Sequence, residues 1–247
     1  MRIADDREQS SAPEVAREER LTYLLQALYI ARSDDAGLLD LLEEDGSFGC
    51  VAYDFRTFPR VSRDLLDSIN EIYFLLRRAP LLSGEDVSVL DIGAGYGRLA
   101  HRMLTAVPNI TRYYCVDAVP ESTFLCDWYL RYRGLADRAT VVPLDMLDRL
   151  GERRIDLAVN VRSFTEMSYP PIATWIGLIA ELGIGTLMIV PNEGNVFCSR
   201  ERDGRRRSCF ELLKSHGFKL VADEPVILDP DIREFTGWDE HFLIFEA

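Results

Sequence analysis

Between Asp91 and Gly97 the chain reads DIGAGYG, an acidic residue followed by Gly93, Gly95 and Gly97 at two-residue spacing, with Ala94 and Tyr96 between them. Glycine has no Cβ, so such a run turns sharply and lets backbone N–H groups approach a ligand closely. A helix starting at the end of the run aims its own unpaired N–H groups at the same place. Asp117 closes the segment TRYYCVDA, and a carboxylate at such a strand end can accept both ribose hydroxyls of a nucleoside. Further polar groups follow other apolar segments: Asp145 beside Met146, Asn160 ahead of Arg162, Ser163 and Glu166, and Asn192 in the breaker-rich PNEGN. The turn and Asp117 point to a phosphate or a nucleoside as ligand, and the other polar groups stand at the ends of further expected strands.

The elements that must position these residues are legible in the apolar spacing. After Pro80 the chain alternates, with strands expected near 87–92, 112–116, 139–142, 155–161, 185–190, 218–222 and 241–246. Helical patterns are expected near 97–107, 120–133, 170–182 and 207–216. Strands separated by helices of this length pair in parallel through right-handed crossovers. The last two strands have no evident helix between them, which suits an antiparallel seventh strand. The expected fold is α/β and Rossmann-like: a seven-stranded, mostly parallel sheet with an antiparallel last strand and helices on both faces.

Ahead of this domain, taken as 81–247, residues 1–80 read as a helical extension. Residues 1–13 are polar and expected to fray, and Pro13 suits the start of a helix carrying Leu21, Leu24, Leu25 and Leu28. Ser33 or Asp34 is a natural cap for a second helix reaching Gly46, and Ser62 for a third. Between them FGCVAYDFRTFP, with Tyr53, reads as an ordered aromatic loop. The extension is expected to serve either as a lid over the acceptor, with Tyr53 among the acceptor contacts, or as a cover for the sheet or an interface in a homo-oligomer.

A chain of 247 residues with 47% hydrophobic and 28% charged residues is ordinary for a globular protein, and 28 basic against 41 acidic side chains leave a formal charge of −13. That balance argues against a nucleic-acid partner or an anionic membrane surface. Five cysteines with no CxxC pair are neither a disulfide framework nor a zinc motif. With no apolar run long enough to span a bilayer and no apolar signal core, the expected location is the cytoplasm.

The glycine turn is not the dinucleotide fingerprint GxGxxG, because the position of its third glycine is Arg98. Asp91 with Gly93, Gly95 and Gly97 instead resembles motif I of the class I S-adenosylmethionine-dependent methyltransferases, and the segment NVRSFTEM after the fourth strand resembles the corresponding motif of a bacterial sugar O-methyltransferase group. The resemblance covers roughly 81–190. It implies S-adenosylmethionine as cofactor, held by Asp91, the turn from Gly93 to Gly97, Asp117, Ala118, Asp145, Met146 and Asn160. It also makes Glu166 the leading acceptor-side carboxylate.

Methyl transfer to a hydroxyl is helped by positioning and by a base or a metal. Of the three histidines, His216 would stand at the opposite edge of the sheet, His101 lies close to the cofactor but reads as a helix-face residue, and His241 would stand at the active edge if its strand is antiparallel. Glu166 and His241 are therefore the catalytic candidates, with Arg162, Ser163 and Asn192 beside them on the acceptor side. Glu166 and the PNEGN loop could hold magnesium, although no ligand spacing is diagnostic. In the run RERDGRRR, Arg205 and Arg206 are candidates for an anionic part of the acceptor, against the alternative of a solvated face. The expected acceptor is a sugar-containing small molecule. The alternatives are an N-methyltransferase or other small-molecule methyltransferase, and a non-catalytic cofactor-binding partner or sensor.

Overall fold

The computed structural model describes residues 7–247, with the side chains of 7–16 and of Gly49 outside the description. In chain order its elements are α1 (Arg7–Ala31), α2 (Leu38–Leu41), β1 (Ala52–Tyr53), β2 (Val61–Ser62), α3 (Arg63–Arg78), β3 (Val87–Ile92), α4 (Arg98–Ala106), β4 (Ile110–Val116), α5 (Pro120–Tyr132), β5 (Ala139–Val141), β6 (Leu157–Val161), α6 (Tyr169–Glu181), β7 (Thr186–Val190), α7 (Phe210–Ser215), β8 (Lys219–Pro225), α8 (Pro230–Thr236) and β9 (His241–Glu246). Short 3₁₀ turns at Leu144–Glu152 and Phe164–Glu166 follow β5 and β6.

The backbone parts into two compact units, one of residues 1–70 with 229–236, the other of 71–228 with 237–247. In the second unit seven strands form one sheet in the order β5-β4-β3-β6-β7-β9-β8. The first five pair in parallel, and β9 enters antiparallel between β7 and β8, as the missing long crossover suggests. The connection from β8 does carry a short helix, α8, which the sequence pattern does not announce.

All six residues of β3 are buried, as expected of a central parallel strand covered on both faces. Alternation along the strands splits the core in two. Leu90, Ile92, Tyr114 and Val116 pack with Ile172, Ile176 and Ile179 of α6 and Leu213 of α7. The opposite face carries Val89, Asp91 and Tyr113, and the Tyr113 hydroxyl reaches Met103 Sδ of α4 at 3.6 Å.

In the first unit, α1 already includes Pro13 and begins at Arg7, so Pro13 is not the helix start. The fraying expected of the first residues lies, for 1–6, outside the described residues. The second helix is shorter than the sequence suggests. Its N-cap is Gly37 and not Ser33 or Asp34, although the two Asp34 carboxylate oxygens accept from the first N–H groups of the helix, Leu38 at 2.7 Å and Leu39 at 3.0 Å. Ser62 caps α3 as expected, its Oγ accepting from Leu65 N at 3.0 Å. The aromatic loop is ordered by the β1–β2 pair and by Tyr53, which stands 5.1 Å from the ring of Tyr23 and 6.4 Å from that of Phe55. Among the described residues no helix is long and apolar enough to cross a membrane.

Candidate functional site

The glycine turn leaves β3 with three left-handed residues, Gly93 at φ 82°, Gly95 at φ 58° and Gly97 at φ 87°. At Gly93 a Cβ would stand 2.1 Å from Ser163 Oγ, so glycine is required there by space as well as by conformation. The turn is clamped from β4. Val116 O accepts from Gly93 N at 2.8 Å and from Ala94 N at 3.1 Å, and the Asp117 carboxylate accepts from Gly95 N and Val119 N at 2.9 and 2.8 Å. Asp117 thus holds the loop with one lone pair on each oxygen and keeps the remaining acceptor capacity for a ligand.

Asp91 plays a different part. It is buried, faces the α4 side of the sheet, and accepts from the Tyr113 hydroxyl at 3.1 Å. Burial raises its pKa to about 7, against the lowering effects of the Tyr113 hydrogen bond and of Arg98, which itself lies 3.5 Å from Glu71. Asp91 is therefore tied to β4 through Tyr113 and is not among the residues that line the cavity beside the turn.

Across the turn, Asn160 ends the buried part of β6. Its Nδ2 donates to Ile92 O at 2.7 Å and lies 2.6 Å from Ser163 Oγ, while its Oδ1 accepts from Phe164 N at 3.0 Å. The ends of β3 and β6 are thereby tied, and the chain is turned into Arg162, which adopts φ 65° although it is not glycine. Strained backbone of this kind, held by its surroundings, marks functional sites. The surroundings here are Val190 O, which accepts from Arg162 N at 2.7 Å, and Glu240, 3.3 Å from the Arg162 guanidinium.

Between these two turns lies a cavity of about 320 Å³, lined by residues that include Gly93, Asp117, Ala118, Arg162, Ser163 and Glu166. Its position is the topological switch point: the chain moves outward from β3 through β4 to β5, then returns to place β6 on the other side of β3. Val119, Met167 and Trp175 supply apolar wall that the sequence alone does not single out. Glu166 is exposed on the rim, and Asn192 at the end of β7 donates from Nδ2 to its Oε1 at 3.4 Å.

The remaining candidates are not among the residues that line this cavity. Asp145 is exposed in the turn after β5, and Met146 lines a separate cavity of about 360 Å³ beside β4 and β5. Tyr53 belongs to the first unit, where burial, and then Glu19, raise its pKa to about 12. Arg205 pairs with Asp203 and Arg206 with Glu193. His241 opens β9 at the edge where β7 ends, as the antiparallel pairing requires. Its Nδ1 lies 2.5 Å from Asp223 Oδ1, and Asn195 Nδ2 donates to Asp223 Oδ2 at 2.8 Å. Asp223 carries no sequence signal, because the β8–β9 register alone sets it diagonally beside His241, whereas Asn195 belongs to the PNEGN loop. His101 and His216 are engaged structurally, with the Tyr129 hydroxyl at 2.8 Å and Leu212 O at 3.0 Å.

Among the described residues no three His, Cys, Asp or Glu side chains are grouped to hold a metal ion. The carboxylates considered for magnesium are drawn apart, Glu166 toward Asn192 and Glu193 toward Arg206, so they do not form an oxygen cage.

Comparison with solved structures places this architecture. The cyclase SpnF superposes with a TM-score of 0.54 at 19% identity, over 79% of this chain and 85% of that one. An S-adenosylmethionine-dependent methyltransferase from Clostridium acetobutylicum superposes with a TM-score of 0.50 at 12% identity, over 73% and 90%. The fold shared with these proteins is Rossmann-like. One of these two proteins is a cyclase and the other a methyltransferase, so the likeness carries the sheet and not the reaction. No protein-family model and no curated protein matches the sequence.

Proposed function

We propose that the protein is an S-adenosylmethionine-dependent O-methyltransferase acting on a hydroxyl of a sugar-containing small molecule. The observation that carries this reading is the cleft itself, with Asp117 on one wall, Glu166 on the other and the glycine turn between them. A bound S-adenosylmethionine supplies an electrophilic methyl group on a sulfonium.

The residues present fit that group. The turn is not the pyrophosphate fingerprint, Gly95 has open space where a Cβ would point, and Asp117 retains acceptor capacity for vicinal hydroxyls. Asp117, Ala118 and Val119 would hold the nucleoside end, and the Gly93–Gly97 backbone the amino-acid end. Asp91 and Asn160 act beneath them by keeping the turn in place. Arg162 and Ser163, at the end of β6, face the same cleft from the acceptor side.

Glu166 is the first candidate to receive the acceptor proton, since it alone of the acceptor-side acids lines the cleft, and Asn192 restrains its carboxylate. His241 is the second. Its Nδ1 is engaged by Asp223, which leaves Nε2 as the nitrogen that would take a proton and makes Asp223 a positioning residue. Both groups stand at the C-terminal edge of the parallel strands, where positioning an acceptor oxygen contributes most.

Calorimetry with S-adenosylmethionine and with NAD is the first test. Binding of NAD alone would remove the reading. Turnover on a panel of sugars, glycosides and amines, with and without EDTA, then separates O- from N-methylation and tests metal dependence. Cofactor binding with no turnover on any acceptor would favour a non-catalytic binding protein.

A further inference from the structure

The arginine-rich run from Arg200 to Arg207 is an ordered hairpin. Cys198 and Ser208 form an antiparallel bridge, Ser199 N donates to Arg207 O at 2.8 Å, and Glu201 N donates to Arg205 O at 2.9 Å. Glu201 pins this hairpin to the start of α6. Its Oε1 accepts from Ser199 Oγ at 2.6 Å and from Tyr169 N at 3.0 Å. The hairpin and the first residues of α6 enclose a groove of about 610 Å³ in which four arginines, Arg202, Arg205, Arg206 and Arg207, outnumber the two carboxylates, Glu201 and Asp203.

These arginines are not equivalent. Arg205 and Arg206 are neutralised by Asp203 and Glu193. Arg207 lies over the Tyr169 ring, 3.4 Å from its centroid, and among the described residues neither Arg207 nor Arg202 has a carboxylate within ion-pair distance. A guanidinium stacked on an aromatic face is held flat, with its N–H edge directed outward. In a chain with a formal charge of −13, five arginines in eight residues concentrate positive charge at one place. Tetrahedral oxyanions are what such a fork binds in bidentate fashion.

We propose that this groove binds a phosphoryl group, and that the acceptor is therefore a phosphorylated sugar or a nucleotide-linked one. Met167 lines the cleft and Tyr169 lines the groove, so the two sites are separated by a turn of three residues, at most about 10 Å of chain. An acceptor with its hydroxyl beside Glu166 and its phosphate at Arg207 would bridge that turn. The choice of acceptor rests on the methyltransferase reading, whereas the anion site does not.

Calorimetry with inorganic phosphate, glucose 1-phosphate and glucose, without cofactor, tests it. Glucose 1-phosphate is expected to bind at least about tenfold more tightly than glucose, with the difference shrinking as salt is raised. The double variant Arg202→Gln/Arg207→Gln is expected to lose that preference at unchanged melting temperature. Arg207→Lys should keep only part of it, because an ammonium replaces the fork, and Arg153→Gln, on another face, should keep all of it. Equal binding of glucose and glucose 1-phosphate overturns the proposal, as does an unaltered preference in the double variant. The single variant Arg202→Gln, at the exposed hairpin tip, gives the same reading if the double variant does not fold. Phosphate binding without S-adenosylmethionine binding would leave the anion site standing and remove the methyltransferase reading; the reverse result would do the opposite.

Discussion

Gly93 and Gly95 make opposite demands on a side chain although both sit at positive φ. A methyl group at Gly93 meets Ser163 Oγ at 2.1 Å, whereas one at Gly95 meets nothing within 4 Å. Gly93→Ala should therefore destabilise the protein by on the order of 2 to 4 kcal/mol through strain and collision together. Gly95→Ala should cost only about 1 kcal/mol, from backbone conformation alone. Chemical denaturation of the two variants measures the difference. If they prove equally stable, the Gly93–Ser163 packing is wrong.

Asp91 offers a second prediction at the same scale. Its pKa is raised from the ordinary 3.8 to about 7 in the folded protein. Between those values the folded state holds a proton that the unfolded state has released, so this residue's contribution to stability falls as pH rises through that window and is flat above it. Asp91→Asn, which can still accept from Tyr113, should remove that fall. At pH 8 the variant is expected to be at least as stable as the native chain, which melting curves at several pH values would show.

At the scale of elements, the acceptor side is built by segments that leave β6 and β7 and by the start of β9. Glu166→Gln should lower turnover at least tenfold while S-adenosylmethionine affinity holds, because the residue lies on the rim and supports no buried structure. Asp223→Asn separates a positioning role from a packing one. If Asp223 orients His241, the variant should lower kcat with KM little changed. A change in KM alone would remove His241 from the chemistry. These two variants also rank the base candidates against each other.

At the scale of the whole molecule, the C-terminal strand is internal to the sheet although it is last in the chain. β9 fills the place between β7 and β8, and Phe242, Leu243, Ile244 and Phe245 are buried. Its loss would strip both neighbours of their ladder partners and expose a large apolar surface. A chain ending before His241 is expected to be insoluble or unfolded, whereas removal of Ala247, which loses only the bond from its N–H to Gly185 O, should leave the fold intact. Circular dichroism of the two truncations checks this.

The sequence by itself determined the parts that depend on local pattern. The bounds of β3 and β9, the parallel core, the antiparallel entry of the last strand and the glycine turn all follow from apolar spacing and from residues that few backbone conformations tolerate. The cap Ser62 is local as well, since a capping side chain reaches only the next few N–H groups. Tertiary structure decided which of the polar residues share a site. It set Asp91 beneath the sheet against Tyr113, brought Asn192 to Glu166, and placed Asp223 and Asn195 beside His241. It also laid Arg207 on Tyr169, where the sequence shows only a run of charge. The physical reason is range: propensity and capping act over a turn or two of chain, whereas a strand register or a crossover brings together side chains that are tens of residues apart and carry no mark of each other.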